Sequence, residues 1–352
     1  MVKSFARGIS ALVGWAPQGR ITARTLMAAL IGVSAPILLG LAIGRLQLGL
    51  TIGLGALFLS GGAATGATHR WRAAGSALIV TLVSVAAALL IVSGPAPELA
   101  LVGLAFIAAL FSGFSRAVGP VAIRAIIYTV LCVTLLESRA SHRDAAAVIF
   151  VLGAAWNILV RTVLAAPVVA DVDAPSRKPT LRQLWANWRR GLSTFAGWQF
   201  PLRLAGGLAV ACALRDLWPE RHFSWIILTT ALLTERPLER FPVKILQRMA
   251  GTAAGVGLAF LLLSERLEAW ATMALVAGLV ALAALARLRS YLLYACFSTP
   301  VILLAMDFGK AFDLQLLIDR LAATVVAALI VLAGNQIMAG VSPSASPKSS
   351  KA

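Results

Sequence analysis

The residues with the most chemistry in this chain are arginines placed where helices would begin. Arg24, Arg72, Arg203 and Arg248 each open an apolar run. Each carries a planar cation with five hydrogen-bond donors, able to grip both oxygens of a carboxylate. A helix amino terminus already presents positive potential, so a cation there is mildly unfavourable unless an anion answers it. Four such ends around one axis would form an anion-gathering mouth. The plainer alternative is that these arginines anchor helix ends on lipid phosphate and set orientation. Ser76 and Thr252 follow Arg72 and Arg248 by one turn, beside Gly75 and Gly251. The hydroxyls can bond back to a helix carbonyl or line a substrate path. The glycines let a neighbouring helix come close. Arg124 and Arg161 sit deeper in their runs, where a charge should face the bundle, a watery cavity, or an edge reached by snorkelling. The candidate substrate-binding set is therefore Arg24, Arg72, Ser76, Arg124, Arg203, Arg248 and Thr252.

Acids are scarcer. Glu137 and Asp307 close two corresponding apolar runs on one side of the chain's implied layout, and are the candidates for proton coupling. No carboxylate falls clearly at the middle of a run. There is no Gly-x4-Gly-Lys-Ser/Thr loop to cradle a nucleotide phosphate, no His-Glu-x-x-His and no Gly-x-Ser-x-Gly. His142-Arg143-Asp144 resembles a kinase triplet by letters alone. Cys132, Cys212 and Cys296 lie inside apolar runs, without zinc or disulfide spacing. These absences argue against an enzyme, a metal site and a cofactor.

The elements that position these residues are membrane helices. The chain has 352 residues, 60% hydrophobic and 13% charged, with a mean hydropathy of +0.88. Soluble domains carry about 25% charged residues, so a water-soluble globular fold is excluded. A spanning helix needs about 20 mostly apolar residues. Candidate spans are 24–44, 48–67, 73–93, 99–115, 118–136 and 145–166, then 203–217, 222–235, 246–264, 269–286, 290–306 and 320–338. Two of them, 203–217 and 222–235, are short, and the 48–67 run is rich in glycine. Short or glycine-interrupted spans at matching positions are the best sequence pointer to a transport site. The formal net charge is +17. With the amino terminus in the cytoplasm, most Lys and Arg fall in cytoplasmic loops and most acids on the other side. That bias places both termini in the cytoplasm and accounts for the charge without nucleic acid. The first residues lack the apolar core of a cleavable signal peptide.

The chain reads as an internal duplication. Residues 7–15, RGISALVGW, match 190–198, RGLSTFAGW, and Pro17 and Pro201 follow. Arg24 then pairs with Arg203, Arg72-Ala-Ala-Gly75-Ser76 with Arg248-Met-Ala-Gly251-Thr252, and Asn157 with Asn335, at nearly constant offset. Six is even, so two six-span copies share one orientation, about an axis along the membrane normal. Each copy opens with an amphipathic stretch. In the second, Leu181, Leu184, Trp185, Trp188, Leu192 and Phe195 alternate with Arg182, Arg189 and Arg190, as in a helix lying in the lipid interface. The expected organisation is 1–166 as the first repeat, 167–180 as a cytoplasmic linker, 181–340 as the second repeat and 341–352 as a disordered tail. The fold class is an all-α membrane protein of about twelve transmembrane helices in two parallel six-helix repeats, each preceded by an interfacial amphipathic helix.

One region resembles a known family. It runs from Arg203 through Phe223-Ser-Trp225, a polar stretch from Glu235 to Lys244, and Arg248-Met-Ala-Gly251-Thr252-Ala-Ala-Gly255, with Arg320-Leu-Ala-Ala-Thr324 later. This is similar to the fusaric acid resistance family, which includes bacterial aromatic acid exporters and has plant anion channels of the malate type among its relatives. Many of those exporters carry large cytoplasmic domains, whereas here the linker is short and the tail small. The first copy also has Ser76 for Thr252 and Leu48-Gly49-Leu50 for the Trp segment. The resemblance implies export of small organic acids or related toxic compounds across a bacterial inner membrane, driven by the proton gradient. It also implies a periplasmic adaptor and an outer-membrane channel as partners, and the chain could self-associate. The alternatives are a passive anion channel and a non-transporting membrane subunit of an envelope assembly. The major facilitator fold fits less well, because Gly66-Ala-Thr-His-Arg-Trp-Arg72 lacks its acid.

Overall fold

The computed structural model describes residues 22–58, 67–115, 117–164, 180–219, 223–236, 241–264, 268–287, 289–307 and 314–341. Its regular structure among these is helical: α1 Ala23–Ala42, α2 Leu46–Phe58, α3 Ala67–Ser93, α4 Pro97–Phe111, α5 Val118–Ser138, α6 Arg143–Leu164, α7 Leu181–Leu192, α8 Phe195–Leu217, α9 Ser224–Leu233, α10 Phe241–Ser264, α11 Ala269–Ala286, α12 Tyr291–Asp307 and α13 Leu314–Val341. The runs are rich in Ala and Leu, the residues that lose least on entering a helix. Boundaries fall where the local chemistry stops a helix. Gly44, at φ 68°, turns the chain between α1 and α2, and only glycine takes that conformation without strain. Thr180 caps α7 in a reciprocal box with Gln183.

By length and composition, six helices can cross a membrane: Ala23–Ala42, Trp71–Ser93, Val118–Ser138, Ala140–Leu164, Val243–Leu262 and Leu314–Gly340. Shorter apolar helices run between them. The protein is a multi-pass helical membrane protein.

Most helix boundaries lie within a few residues of those expected, but α8 does not. It begins at Phe195 rather than near 203, and takes Pro201 into its interior, giving up the bond from position 201 to the Gly197 carbonyl. The amphipathic stretch correspondingly ends at Leu192, short of Phe195. The side chains just beyond it explain the break. Thr194 Oγ1 donates to the Gly191 carbonyl at 2.9 Å and Trp198 Nε1 to the Leu192 carbonyl at 2.7 Å. These bonds satisfy carbonyls that a continuing helix would have used. Trp188 donates to the Leu110 carbonyl at 3.1 Å and stacks on Phe111, so α7 docks on the end of α4. The matching stretch at 7–15, the linker and the tail lie outside the described residues.

α1–α6 and α8–α13 pack in matching ways. In each set the first helix contacts the second and sixth, the second the sixth, the third the fifth and sixth, and the fourth the fifth. Between sets, α4 packs on α8 as α11 packs on α1, and α5 on α9 as α12 on α2.

Two details of the first set matter below. A Cβ at Gly55 would run into the Phe150 carbonyl, and one at Gly153 into Ile52, so α2 and α6 touch backbone to backbone. α1 also contains a π turn at Leu30–Ser34. There the Ile31 carbonyl accepts from Trp156 Nε1 at 3.0 Å, and Ser34 Oγ donates to the Ala277 carbonyl of α11 at 2.6 Å.

Candidate functional site

The site is built around α9, which is buried on nearly every side and ends after ten residues. At 1.5 Å per residue it is about 15 Å long, half the apolar thickness of a bilayer. A helix end buried at that depth needs partners for its carbonyls. Arg203, on α8, holds the segment just past that end. Its Nη2 donates to the carbonyls of Glu235 and Arg236 at 3.2 and 3.3 Å, its Nε to the Gln199 carbonyl at 3.3 Å, and its Nη1 to Asn335 Oδ1 on α13 at 2.6 Å. Lys244 Nζ donates to the Leu232 carbonyl at 2.7 Å and to the Glu235 carboxylate at 2.6 Å. Two cations thus meet the negative end of α9, where helix dipole and charge agree. Arg203 is a positioning residue that ties three helices together.

Above that cap lie two arginines of a different kind. Arg248 on α10 is 1% exposed and Arg320 on α13 is 0% exposed. Arg248 Nε and Nη2, and all three guanidinium nitrogens of Arg320, have no hydrogen-bond partner. The two charges lie close enough to act on one another, and the Tyr291 phenol acts on Arg320. The Arg320 guanidinium sits 4.0 Å from the centre of the Trp225 ring. The indole face attracts a cation there by about 1–2 kcal/mol without using any N–H donor. Thr229 follows Trp225 by four residues and Thr252 follows Arg248 by four, so each hydroxyl shares its predecessor's helix face. Both hydroxyls are fully buried and partnerless. Among the described residues neither arginine has a carboxylate partner, and no group of acids, His or Cys gathers as a metal ion would need.

Gly251 and Gly255 let α10 approach α12. A Cβ at either would stand 2.5 Å from a backbone oxygen, that of Leu292 or of Cys296. This close contact holds Arg248 at its depth.

The other candidates are placed differently. Arg24 and Arg72 are exposed, and Ser76 is exposed with its hydroxyl bonded back to the Ala73 carbonyl at 2.9 Å. Gly75 faces open space rather than a neighbouring helix. The motif match of Arg72 with Arg248 therefore does not give them like surroundings. On α3, Ser84 Oγ donates to the Ala125 carbonyl of α5 at 3.2 Å. Arg124 interacts with Tyr128 and Arg161, beside Arg287. Glu137 lies at the opposite end of the bundle from Arg203. There Arg215 reaches Glu137 at 3.3 Å, Glu98 at 2.6 Å and Asp216 at 3.1 Å, joining α8 to α4 and α5. Asp307 ends α12, and its side chain lies outside the described residues.

Three residues of the buried group were not among the candidate site residues: Thr229, and the pair Arg320 and Trp225. Both stood in the motifs that carried the family resemblance, which was the available signal.

No curated protein and no solved structure matches this chain. Residues 208–334, which contain Trp225, Arg248 and Arg320, match the family model described as fusaric acid resistance protein-like.

Proposed function

We propose that this protein is a membrane transporter that exports small organic acids, aromatic ones included, across a bacterial inner membrane. The observation that carries this reading is the pair Arg248 and Arg320: two buried guanidiniums with partnerless donors, in an apolar helical chain. Charges at such depth are expensive, and mark substrate or ion routes when they persist. A carboxylate is the partner whose geometry their donors fit. In this reading α1–α6 and α8–α13 form two parallel repeats in the membrane, with α9 reaching only part of the way across and both termini cytoplasmic. The matched helix pairings and the charge bias support that arrangement. Glu137 and Asp307 serve proton coupling at the outer ends of α5 and α12, and a periplasmic adaptor with an outer-membrane channel completes the route.

The test is efflux of a labelled aromatic acid from cells with the protein at controlled abundance. Arg248→Ala should impair efflux about ten- to a hundredfold, the worth of one charge-assisted contact. Arg248→Lys keeps the charge without the planar fork and should fall between. Normal efflux by a normally abundant Arg248→Ala protein would remove the binding role. Flux that ignores an imposed proton gradient would favour the passive anion channel.

A further inference from the structure

The Arg248–Arg320 pair has a consequence that reaches past cargo recognition. A guanidinium moved from water into a protein interior loses solvation worth several kcal/mol unless an opposite charge and hydrogen bonds replace it. Arg203 and Lys244 show what replacement looks like here: carbonyls, an amide oxygen and a carboxylate within hydrogen-bond reach. Among the described residues, Nε and Nη2 of Arg248 and all three guanidinium nitrogens of Arg320 have no such partner, and each charge adds repulsion to the other. The free nitrogens of Arg248 are Nε and Nη2, the two on one edge of the guanidinium plane, which together take both oxygens of a carboxylate. Trp225 covers one face of Arg320 and leaves its N–H edges open to a second acceptor. The fully buried hydroxyls of Thr229 and Thr252 stand one turn along the same helices.

From this we infer that this buried cluster keeps a carboxylate anion as a resident counter-ion, gripped by Arg248 and Arg320 beside Trp225, and that cargo enters only by displacing it. The inference rests on the organic-acid reading and adds to it. The anion is part of the fold's stability, and transport is an exchange of one anion for another. The hydroxyls of Thr229 and Thr252 give an incoming carboxylate further donors without adding charge.

The test measures binding and stability rather than flux. The intact protein is purified in detergent, and its melting temperature is followed against benzoate at fixed ionic strength, with chloride as the balancing salt. A resident carboxylate gives a saturating rise of several degrees, as ligand linkage requires. It also predicts that the double variant Arg248→Met/Arg320→Met loses the benzoate dependence and melts higher than wild type in benzoate-free buffer, since two buried charges are gone. If that variant does not fold, wild type alone decides: labelled benzoate should bind with one-site stoichiometry and be displaced by acetate but not by equal chloride. A melting temperature indifferent to benzoate overturns the inference, as does a response that chloride reproduces or that the double variant retains. Benzoate binding without flux in vesicles would sink the transport reading and leave the counter-ion standing. Flux without any effect of benzoate on stability would do the reverse.

Discussion

In the first half, Asn157 on α6 donates to the Ala56 carbonyl of α2 and abuts Gly32 of α1. In the second half, Asn335 on α13 accepts from Arg203 of α8, which in turn holds the end of α9. The same three helices, first, second and sixth, are tied in both. The first half does it with an amide against a glycine, the second with an arginine as spacer. The difference extends along the seam. α2 and α6 meet through Gly55 and Gly153, carbonyl against Cα, which leaves no room for a side chain. α9 and α13 have Trp225 and Arg320 between them instead. Two helix sets with matching contacts can thus differ, one held closed by small residues while the other keeps a seam wide enough for buried charge.

Four outcomes would break or sharpen this contrast. The largest concerns Arg320. Arg320→Ala should lower efflux about ten- to a hundredfold, measured beside Arg248→Ala at matched abundance. A near-normal Arg320→Ala protein would leave the second half no more specialised than the first.

Next come the glycines of the shared motif. Gly251→Ala should destabilise by about 1–3 kcal/mol, because its Cβ would press on the Leu292 carbonyl. Gly75→Ala should stay within about 0.5 kcal/mol, with open space beside it. Thermal denaturation of the two purified variants reads the difference directly, and equal losses would mean that the two helices share one packing environment.

A smaller gap separates the asparagines. Asn335→Ala strips an acceptor from a buried cation and should cost about 1.5–3 kcal/mol, whereas Asn157→Ala removes a neutral amide bond worth about 1 kcal/mol. The order of the two melting temperatures is the measurement, and a reversed order would count against Arg203 as the spacer.

The smallest effect belongs to Arg72, exposed at its helix start. Arg72→Ala should export at close to the wild-type rate, with abundance as the only quantity that moves. A large loss of efflux per molecule would put the first half into the substrate route.

Much of the helical framework was legible because apolar runs and their polar breaks are one-dimensional signals. The start of α8 was not, since Phe195 and Trp198 continue the aromatic pattern of α7, while Trp198 bonds back across a turn to the Leu192 carbonyl. The buried pair was half legible. Arg248 stood out beside its glycines, but Arg320 gains its meaning from α9, whose short length lays Trp225 against it. Linear spacing does not carry that contact. Nor does it carry surroundings: Arg72 and Arg248 begin near-identical motifs, yet Arg72 is exposed and Arg248 is buried. The glycines of 48–67 read as a glycine-interrupted span. Among the described ones, Gly49, Gly53 and Gly55 pack closely on Gly40, Ile37 and Phe150, because a residue without a side chain is what backbone contact demands.

The π turn at Leu30–Ser34 sets how α1 can change length. A π turn is one residue more than the regular helix would hold, and here its surplus is fixed by two long-range bonds, from Trp156 to Ile31 and from Ser34 to Ala277. Deleting one residue within it would restore an ordinary helix and keep the chain continuous. Both flanks of α1 would keep their faces toward their neighbours, since the wider turn already absorbs the surplus residue, so the cost would fall on the two bonds made within the turn, from Trp156 to Ile31 and from Ser34 to Ala277.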